Sequence, residues 1–263
     1  MRITTWNANS VRLRETALRR IALEIRPDVL CLQETKVEDG KFPREMAEAL
    51  GYHHLHIHGQ KAYHGVAILS KLPLEDCHSH KWCGIEDSRH AVCTLPGGIE
   101  IHDLYIPAGG DIPDPEVNPK FRHKLAMVAD LTDYFAARRG DGAKVVLVGD
   151  LNIAPLETDV WSHRQLLKVV SHTPVETEAL NRLQASYGFL DAVRAVIPPE
   201  QKLFTWWSYR NRDWAASDRG RRLDHVWLSP ALAPALRGAE VCREARGWDM
   251  PSDHVPVTVE LEV

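Results

Sequence analysis

The chain has 263 residues, 44% hydrophobic and 26% charged, enough to bury one large core, and it reads as a single domain over residues 1–263. Its 32 Lys and Arg against 36 Asp and Glu give a formal charge of −4. That balance argues against a protein that simply coats nucleic acid through many phosphate contacts, although a carboxylate-rich metal site can carry such a charge locally. No apolar run approaches bilayer length and the N-terminus lacks a signal-peptide pattern, so a cytoplasmic protein with no membrane partner is expected.

In chain order, Arg2–Thr5 reads as a strand, Arg12–Ile25 as a helix and Val29–Gln33 as a strand. His54, His56 and His58 alternate, as three residues on one face of a surface strand would. Strands follow at Val66–Ser70, Ala91–Leu95 and Ile99–Tyr105. The proline-rich stretch Asp111–Pro119 reads as a long loop, because strand-like patterns stand on both sides of it. Lys120–Arg138 is the clearest helix: Asn118 can cap it, Pro119 suits its first position, and Phe121, Leu125, Val128, Leu131 and Phe135 share one side. Then come a strand at Lys144–Gly149, a helix at Val175–Ser186, and strands at Leu223–Leu228 and Val255–Val263, where Val255, Val257, Val259 and Leu261 share a face. Strands mixed with helices, without strict alternation, give an α+β or mixed α/β class with layered sheets. The five cysteines are odd in number and lack a C-x-x-C spacing, so reduced thiols are expected rather than disulfides or zinc ligands.

The informative residues interrupt apolar strands. The first strand runs into Asn7, the second into Glu34, and the Lys144 strand into Asp150 with Asn152 beyond; Asp224 opens one strand, and Asp253-His254 precedes the last. Each alone reads as a turn residue, a helix cap or a surface carboxylate. Repeated at several strand ends, they read as a set that converges on a charge partner, because unpaired buried carboxylates are costly. Oxygen ligands from Asp, Glu and Asn suit a hard cation such as Mg2+, with Mn2+ a possible substitute.

These residues lie in blocks that resemble the signatures of the exonuclease III family of abasic-site DNA endonucleases: LQETK at Leu32–Lys36, VGDLNIA at Val148–Ala154 and SDHVPV at Ser252–Val257. Further blocks match in order, among them WNANS at Trp6–Ser10, LYIP at Leu104–Pro107, FTWWSYR at Phe204–Arg210 and RLDH at Arg222–His225, and the resemblance covers nearly the whole chain. It implies a four-layer sandwich of two packed β-sheets flanked by helices. It also implies Glu34 as the principal metal ligand with Asn7 beside it, and Asp253 holding metal or orienting neighbouring groups. Asp150 would position or activate the attacking water or manage the leaving-group proton, and Asn152 would orient Asp150. His254 would contact the phosphate while Asp224 holds its imidazole, and Tyr105 would donate to the scissile phosphate. Asp150 and His254 are both candidates to accept the water's proton. No Ser or Cys nucleophile stands in a known motif, so direct attack by water is expected.

For DNA, Arg12, Arg14 and Lys36 follow metal-site residues closely. Phe204–Arg222 interleaves Trp206, Trp207, Tyr209, Arg210, Trp214, Arg219, Arg221 and Arg222, a mixture suited to phosphate contact and stacking. The resemblance places Trp206 or its neighbour in a pocket for the abasic sugar. Ser208 stands where the family often has Asp, and Met250 precedes Pro251 where a basic residue is common; both could alter lesion or strand preference. The expected partner is double-stranded DNA with abasic or damaged sites, bound by a monomer. Two rivals remain: a phosphatase or lipid phosphodiesterase of the same fold, and a nucleic-acid-binding regulator without catalysis.

Overall fold

A computed structural model describes residues 1–263. Side chains of a strand alternate between two faces, so a strand that is apolar throughout must be covered on both. In chain order the strands are β1 (Arg2–Asn7), β2 (Val29–Gln33), β3 (His54–His58), β4 (Val66–Ser70), β5 (Glu75–His78), β6 (His90–Leu95) and β7 (Ile99–Tyr105). They continue with β8 (Lys144–Asp150), β9 (Leu190–Asp191), β10 (Trp206–Trp207), β11 (Gly220–Arg221), β12 (Asp224–Leu228), β13 (Leu236–Val241) and β14 (Val257–Leu261). Two mixed six-stranded sheets result, in the orders β13-β14-β1-β2-β4-β3 and β5-β6-β7-β8-β12-β9, with β10 and β11 forming a small ribbon.

Alternation sorts the apolar residues into three interiors. Ile3, Val29, Cys31 and Ile68 of the first sheet meet Ile101, Val146, Val148 and Val226 of the second. Trp6, Leu30 and Leu32 point the other way, onto Leu18 and Ile21 beside helix α1 (Glu15–Arg20) and Met46 of α2 (Arg44–Ala49). On the far side, Leu104, Val145, Leu147 and Trp227 pack on α3 (Pro119–Ala137) and on α5 (Pro174–Tyr187), which follows the single turn α4 (His163–Leu166). The product is the expected α+β sandwich of two sheets between helices. Each such fully buried side chain contributes about 1.5–3 kcal/mol.

Local chemistry explains the boundaries. The Asn118 side chain accepts from the Lys120 and Phe121 N–H groups at the start of α3, with Pro119 at the first position. Within α3, Lys124 is fully buried and Leu125 only half-buried, a change from the expected apolar face: Lys124 Nζ reaches Glu176 Oε1 at 2.5 Å and the Asn152 carbonyl at 2.8 Å. The expected Arg12–Ile25 helix starts at Glu15 and widens into a π-turn over Ile21–Ile25, ending on Arg26 in the left-handed region. β5 and β13 carry no apolar alternation and were not expected. Cys77 and Cys93 are joined as a disulfide across β5 and β6, which corrects the expectation of five free thiols. Their Cα atoms are 4.2 Å apart because the two residues face each other across antiparallel strands, a pairing that a separation of 16 residues does not announce.

Register then positions the site. Asn7 pairs with Gln33 in the first sheet, so Asn7 and Glu34 leave the same rim. In the second sheet Asp150 pairs with both Tyr105 and Asp224. A side chain at Gly149 would collide with the Leu104 carbonyl, so only glycine lets β8 approach β7 where it delivers Asp150.

Candidate active site

The two rims meet over one cleft of about 640 Å³, whose lining includes Glu34, Asp150, Asn152, Asp253 and His254 together with Trp161, Trp206, Arg210, Arg219 and Arg221. Four chain segments far apart in sequence converge there. Asn7 Nδ2 donates to Glu34 Oε1 at 3.0 Å and to Asp150 Oδ2 at 2.9 Å, while its amide oxygen accepts from the Asn9 N–H. Asn7 therefore bridges the two carboxylates with its nitrogen, and its oxygen is turned away from them. Tyr105 Oη donates to Glu34 Oε1 at 2.9 Å. Burial, with the Glu34 and Asp150 charges added, pushes the Tyr105 phenol well above its ordinary range, so it keeps its proton.

Glu34 lies beyond the end of β2 with φ +50°. Burial opposes its charge, but Lys36 and the Asn7 amide outweigh burial and hold its pKa below the ordinary value. Lys36 Nζ sits 2.7 Å from Glu34 Oε2 and 2.5 Å from Asn9 Oδ1, so the lysine expected to hold DNA phosphates is engaged at the carboxylate itself.

Asp150 is buried and held by the Asn152 backbone N–H at 3.0 Å and the Asn152 amide at 3.1 Å; that amide also donates to the Ile106 carbonyl. Asn152 thus orients Asp150. Burial raises the Asp150 pKa to about 7, the Asp224 charge adding to it and the His254 cation working against it. His254 Nδ1 is 2.8 Å from Asp224 Oδ2, and its Nε2 is 3.6 Å from Asp150 Oδ2. Burial would favour neutral imidazole, but the Asp224 and Asp150 carboxylates prevail and raise its pKa to about 10. With both carboxylates charged, His254 is therefore held as a cation at neutral pH.

Asp253 accepts from Asn9 Nδ2 and from Trp206 Nε1, both at 2.9 Å. Its Oδ2 thus fixes the Trp206 indole at the cleft while its Oδ1 holds the Asn9 amide. Ligand atoms of Asp150, Asp224 and His254 lie within 4.8 Å of one another, Glu34 joins Asp150 through the Asn7 amide, and Asp224 Oδ1 is buried without a hydrogen-bond partner. This surplus of hard oxygen acceptors over donors fits a dication such as Mg2+, and the partly exposed Glu34 is the carboxylate best placed to share one.

The aromatic-basic stretch divides. Trp206 faces the cleft with Arg221 stacked 5.3 Å from its ring centre, and Arg221 also donates to the Val170 carbonyl and Ser171 Oγ. Arg210 is exposed at the cleft, and Arg12 is exposed on the surface. Arg14 bonds Tyr209 Oη at 3.0 Å. Trp207 turns into the core, edge-on to Trp214. Arg222, grouped with the DNA-facing arginines on sequence alone, is fully buried and paired to Asp159 at 2.8 and 2.9 Å and to Asp191 at 2.7 Å; it holds the fold. His172 is structural, bonding the Ala154 carbonyl and His163.

Sequence reasoning passed over Arg89, Lys124 and Trp161. Arg89 lies 4.8 Å from the Tyr105 ring centre and donates to the Tyr105 carbonyl. Lys124 ties the Asn152 and Ala108 carbonyls together beneath the cleft floor. The only cue for Lys124 was its place beside the apolar face of α3.

Residues 4–254 match the model of the endonuclease/exonuclease/phosphatase family. Exodeoxyribonuclease III of Haemophilus influenzae is 31% identical, covering all of both chains. An AP endonuclease structure from Archaeoglobus fulgidus superposes with a TM-score of 0.92 at 30% identity, again over all of both chains. A 3′ phosphatase from Neisseria, NExo, bound to product DNA hairpin, gives a TM-score of 0.90 at 33% identity with the same full coverage.

Proposed function

The chain belongs to the endonuclease/exonuclease/phosphatase family, and from that premise we propose that it is a Mg2+-dependent DNA phosphodiesterase of base-excision repair. The reading is of the exonuclease III type, acting as an abasic-site endonuclease, a 3′–5′ exonuclease or both. The observation that carries it is a single cleft lined by both kinds of group: the carboxylates Glu34, Asp150 and Asp253 with the His254 imidazole, and beside them Trp206, Arg210, Arg219 and Arg221. Acidic groups suit a metal and a reacting phosphate, and the arginines and indole suit a nucleic-acid backbone and a displaced nucleotide.

Glu34 would hold the cation, with Asn7 and Tyr105 fixing its carboxylate through Oε1. When bound, Mg2+ would supply charge neutralisation at the phosphate. Of the two candidate proton acceptors, Asp150 is the base. His254 already carries its proton at neutral pH, whereas a carboxylate near 7 is matched to accepting one. Water attacks phosphorus in line, Asp150 takes its proton, and the P–O3′ bond breaks as the leaving 3′-oxygen takes up a proton from solvent to become a hydroxyl. His254 Nε2–H, steered by Asp224 through Nδ1, donates to a phosphoryl oxygen as charge builds there.

The test is a magnesium titration of cleavage on duplexes bearing an abasic site, a blunt end or a 3′-phosphate, run beside small phosphomonoesters. Metal-dependent nicking at the abasic site or digestion from the end supports the reading. Phosphate release from small esters without duplex cleavage would replace it with the same-fold phosphatase, and binding without cleavage with the regulator. The likeness to the Neisseria 3′ phosphatase favours 3′-phosphate removal as a further activity of the same cleft.

A further inference from the structure

A second ligand-bearing cluster stands at the open edge of the sandwich, built from both sheets. β3 is the last strand of the first sheet and β5 the last of the second. The histidine face of β3 turns toward the second sheet: His56 Nε2 lies 3.0 Å from the His78 carbonyl of β5, and His58 Nδ1 lies 3.1 Å from the His90 carbonyl of β6. The His56 imidazole and the sulfurs of Cys77 and Cys93 lie within 4.8 Å of one another. Cys93 is buried, Cys77 exposed and His56 half-buried, so the cluster has a solid floor and an open mouth.

We propose that in the reduced protein His56, Cys77 and Cys93 bind one thiophilic dication of the Zn2+ class, which clasps the edges of the two sheets together. Two thiolates and one imidazole with a fourth place open to water is an established zinc donor set. Around such an ion, ligand atoms stand roughly 3.5–3.8 Å apart, given Zn–S of about 2.3 Å and Zn–N of about 2.0 Å. The three ligand atoms therefore need only side-chain adjustment. The Cys77–Cys93 disulfide and the metal site are alternative states of the same sulfurs. A thiol reductant supplies two electrons and two protons to open the disulfide, becoming a disulfide itself. The dication then displaces two thiol protons to solvent.

The experiment uses full-length, metal-free protein reduced with a phosphine, in excess Mg2+, titrated with Co2+ and then with Zn2+. One equivalent of Co2+ should produce thiolate-to-cobalt charge-transfer absorption, and Zn2+ should abolish it. Cys77→Ser should remove the band, His56→Asn should weaken binding about tenfold or more, and Glu34→Gln should leave it unchanged. Disulfide-bonded wild type, which needs no substitution, should give no band. Absence of the band in reduced wild type, or its survival in Cys77→Ser, overturns the proposal.

Discussion

Replacing Asp224 with Asn tests the electrostatics of the proposed site most directly. Asp224 Oδ2 lies 2.8 Å from His254 Nδ1, and both residues are buried. At that separation, with an effective dielectric of about 20, the charge pair is worth at most about 6 kcal/mol. At 1.36 kcal/mol per pKa unit, its loss is enough to drop His254 from about 10 into or below the ordinary histidine range. The same substitution relieves Asp150 of a like charge that raises its pKa, so Asp150 should move down from about 7.

The signs separate this account from a merely structural one. The reaction needs His254 charged, which holds below its pKa, and Asp150 ionised, which holds above its pKa. In wild type the window lies between about 7 and about 10. In Asp224→Asn both limits should slide toward acid, leaving a narrow, displaced bell. At pH 8 we expect cleavage of an abasic duplex to fall by about 30–200-fold, the factor by which a histidine titrating near 6 is deprotonated there, with the deficit shrinking toward pH 6. The measurement is the pH profile of kcat at saturating metal, beside an NMR titration of the His254 ring. A uniform loss with unmoved limits would refute the reasoning.

Three further outcomes are expected. Glu34→Gln and Asp150→Asn should each lower abasic-site cleavage by about 10³-fold or more, while duplex affinity in a binding titration stays within a few-fold, since neither supplies a cation to the DNA backbone. Trp206→Ala should weaken binding of abasic-site DNA by about 1–3 kcal/mol, measured against an undamaged duplex of the same sequence. Asp159→Asn should destabilise the fold by about 3–5 kcal/mol in urea, because it removes the buried charge that Arg222 and Arg194 share and leaves Arg222 with Asp191 alone. Burial opposes the Asp159 charge, but Arg222 and Arg194 depress its pKa, so its contribution is present at neutral pH and is lost only as pH falls below the ordinary carboxylate range.

The strands of both sheets were legible because their apolar residues are continuous or alternate, as Val145–Val148 and Val257–Leu261 show. β5, with the sequence EDCH and wholly exposed, offers no such signal and exists because β6 presents it an edge. The carboxylates and amides of the site could be picked out by their cost at apolar strand ends. Their division of labour could not. Whether Asn7 turns oxygen or nitrogen to Glu34, and whether Asp253 faces an ion or the Trp206 indole, depends on contacts between segments from 27 to 244 residues apart. Arg221 and Arg222 make the same point: strand alternation sends adjacent arginines to opposite faces, one to the cleft and one to the core, and nothing in the pair says which. The Cys77–Cys93 and His56 cluster was passed over because its members lie on three strands of two sheets.

The site's dependence on both sheets has an energetic consequence. Asn7 to Asp150, Tyr105 to Glu34, and His254 to Asp224 are each bonds from an element of one sheet to an element of the other. Gln33 adds a fourth, donating to the buried Asp103 at 2.6 Å beneath the cleft. An apolar interface between two sheets tolerates small slides, since dispersion contacts lack direction. Hydrogen bonds between buried groups do not, because an orphaned partner costs about 1–3 kcal/mol. These four bonds pin the register of one sheet on the other at the rim where chemistry is proposed, while the apolar layer supplies most of the adhesion. The carboxylates that a core would reject are thereby held by the same contacts that fix their geometry, and relaxing either the packing or the polar bonds would loosen the other.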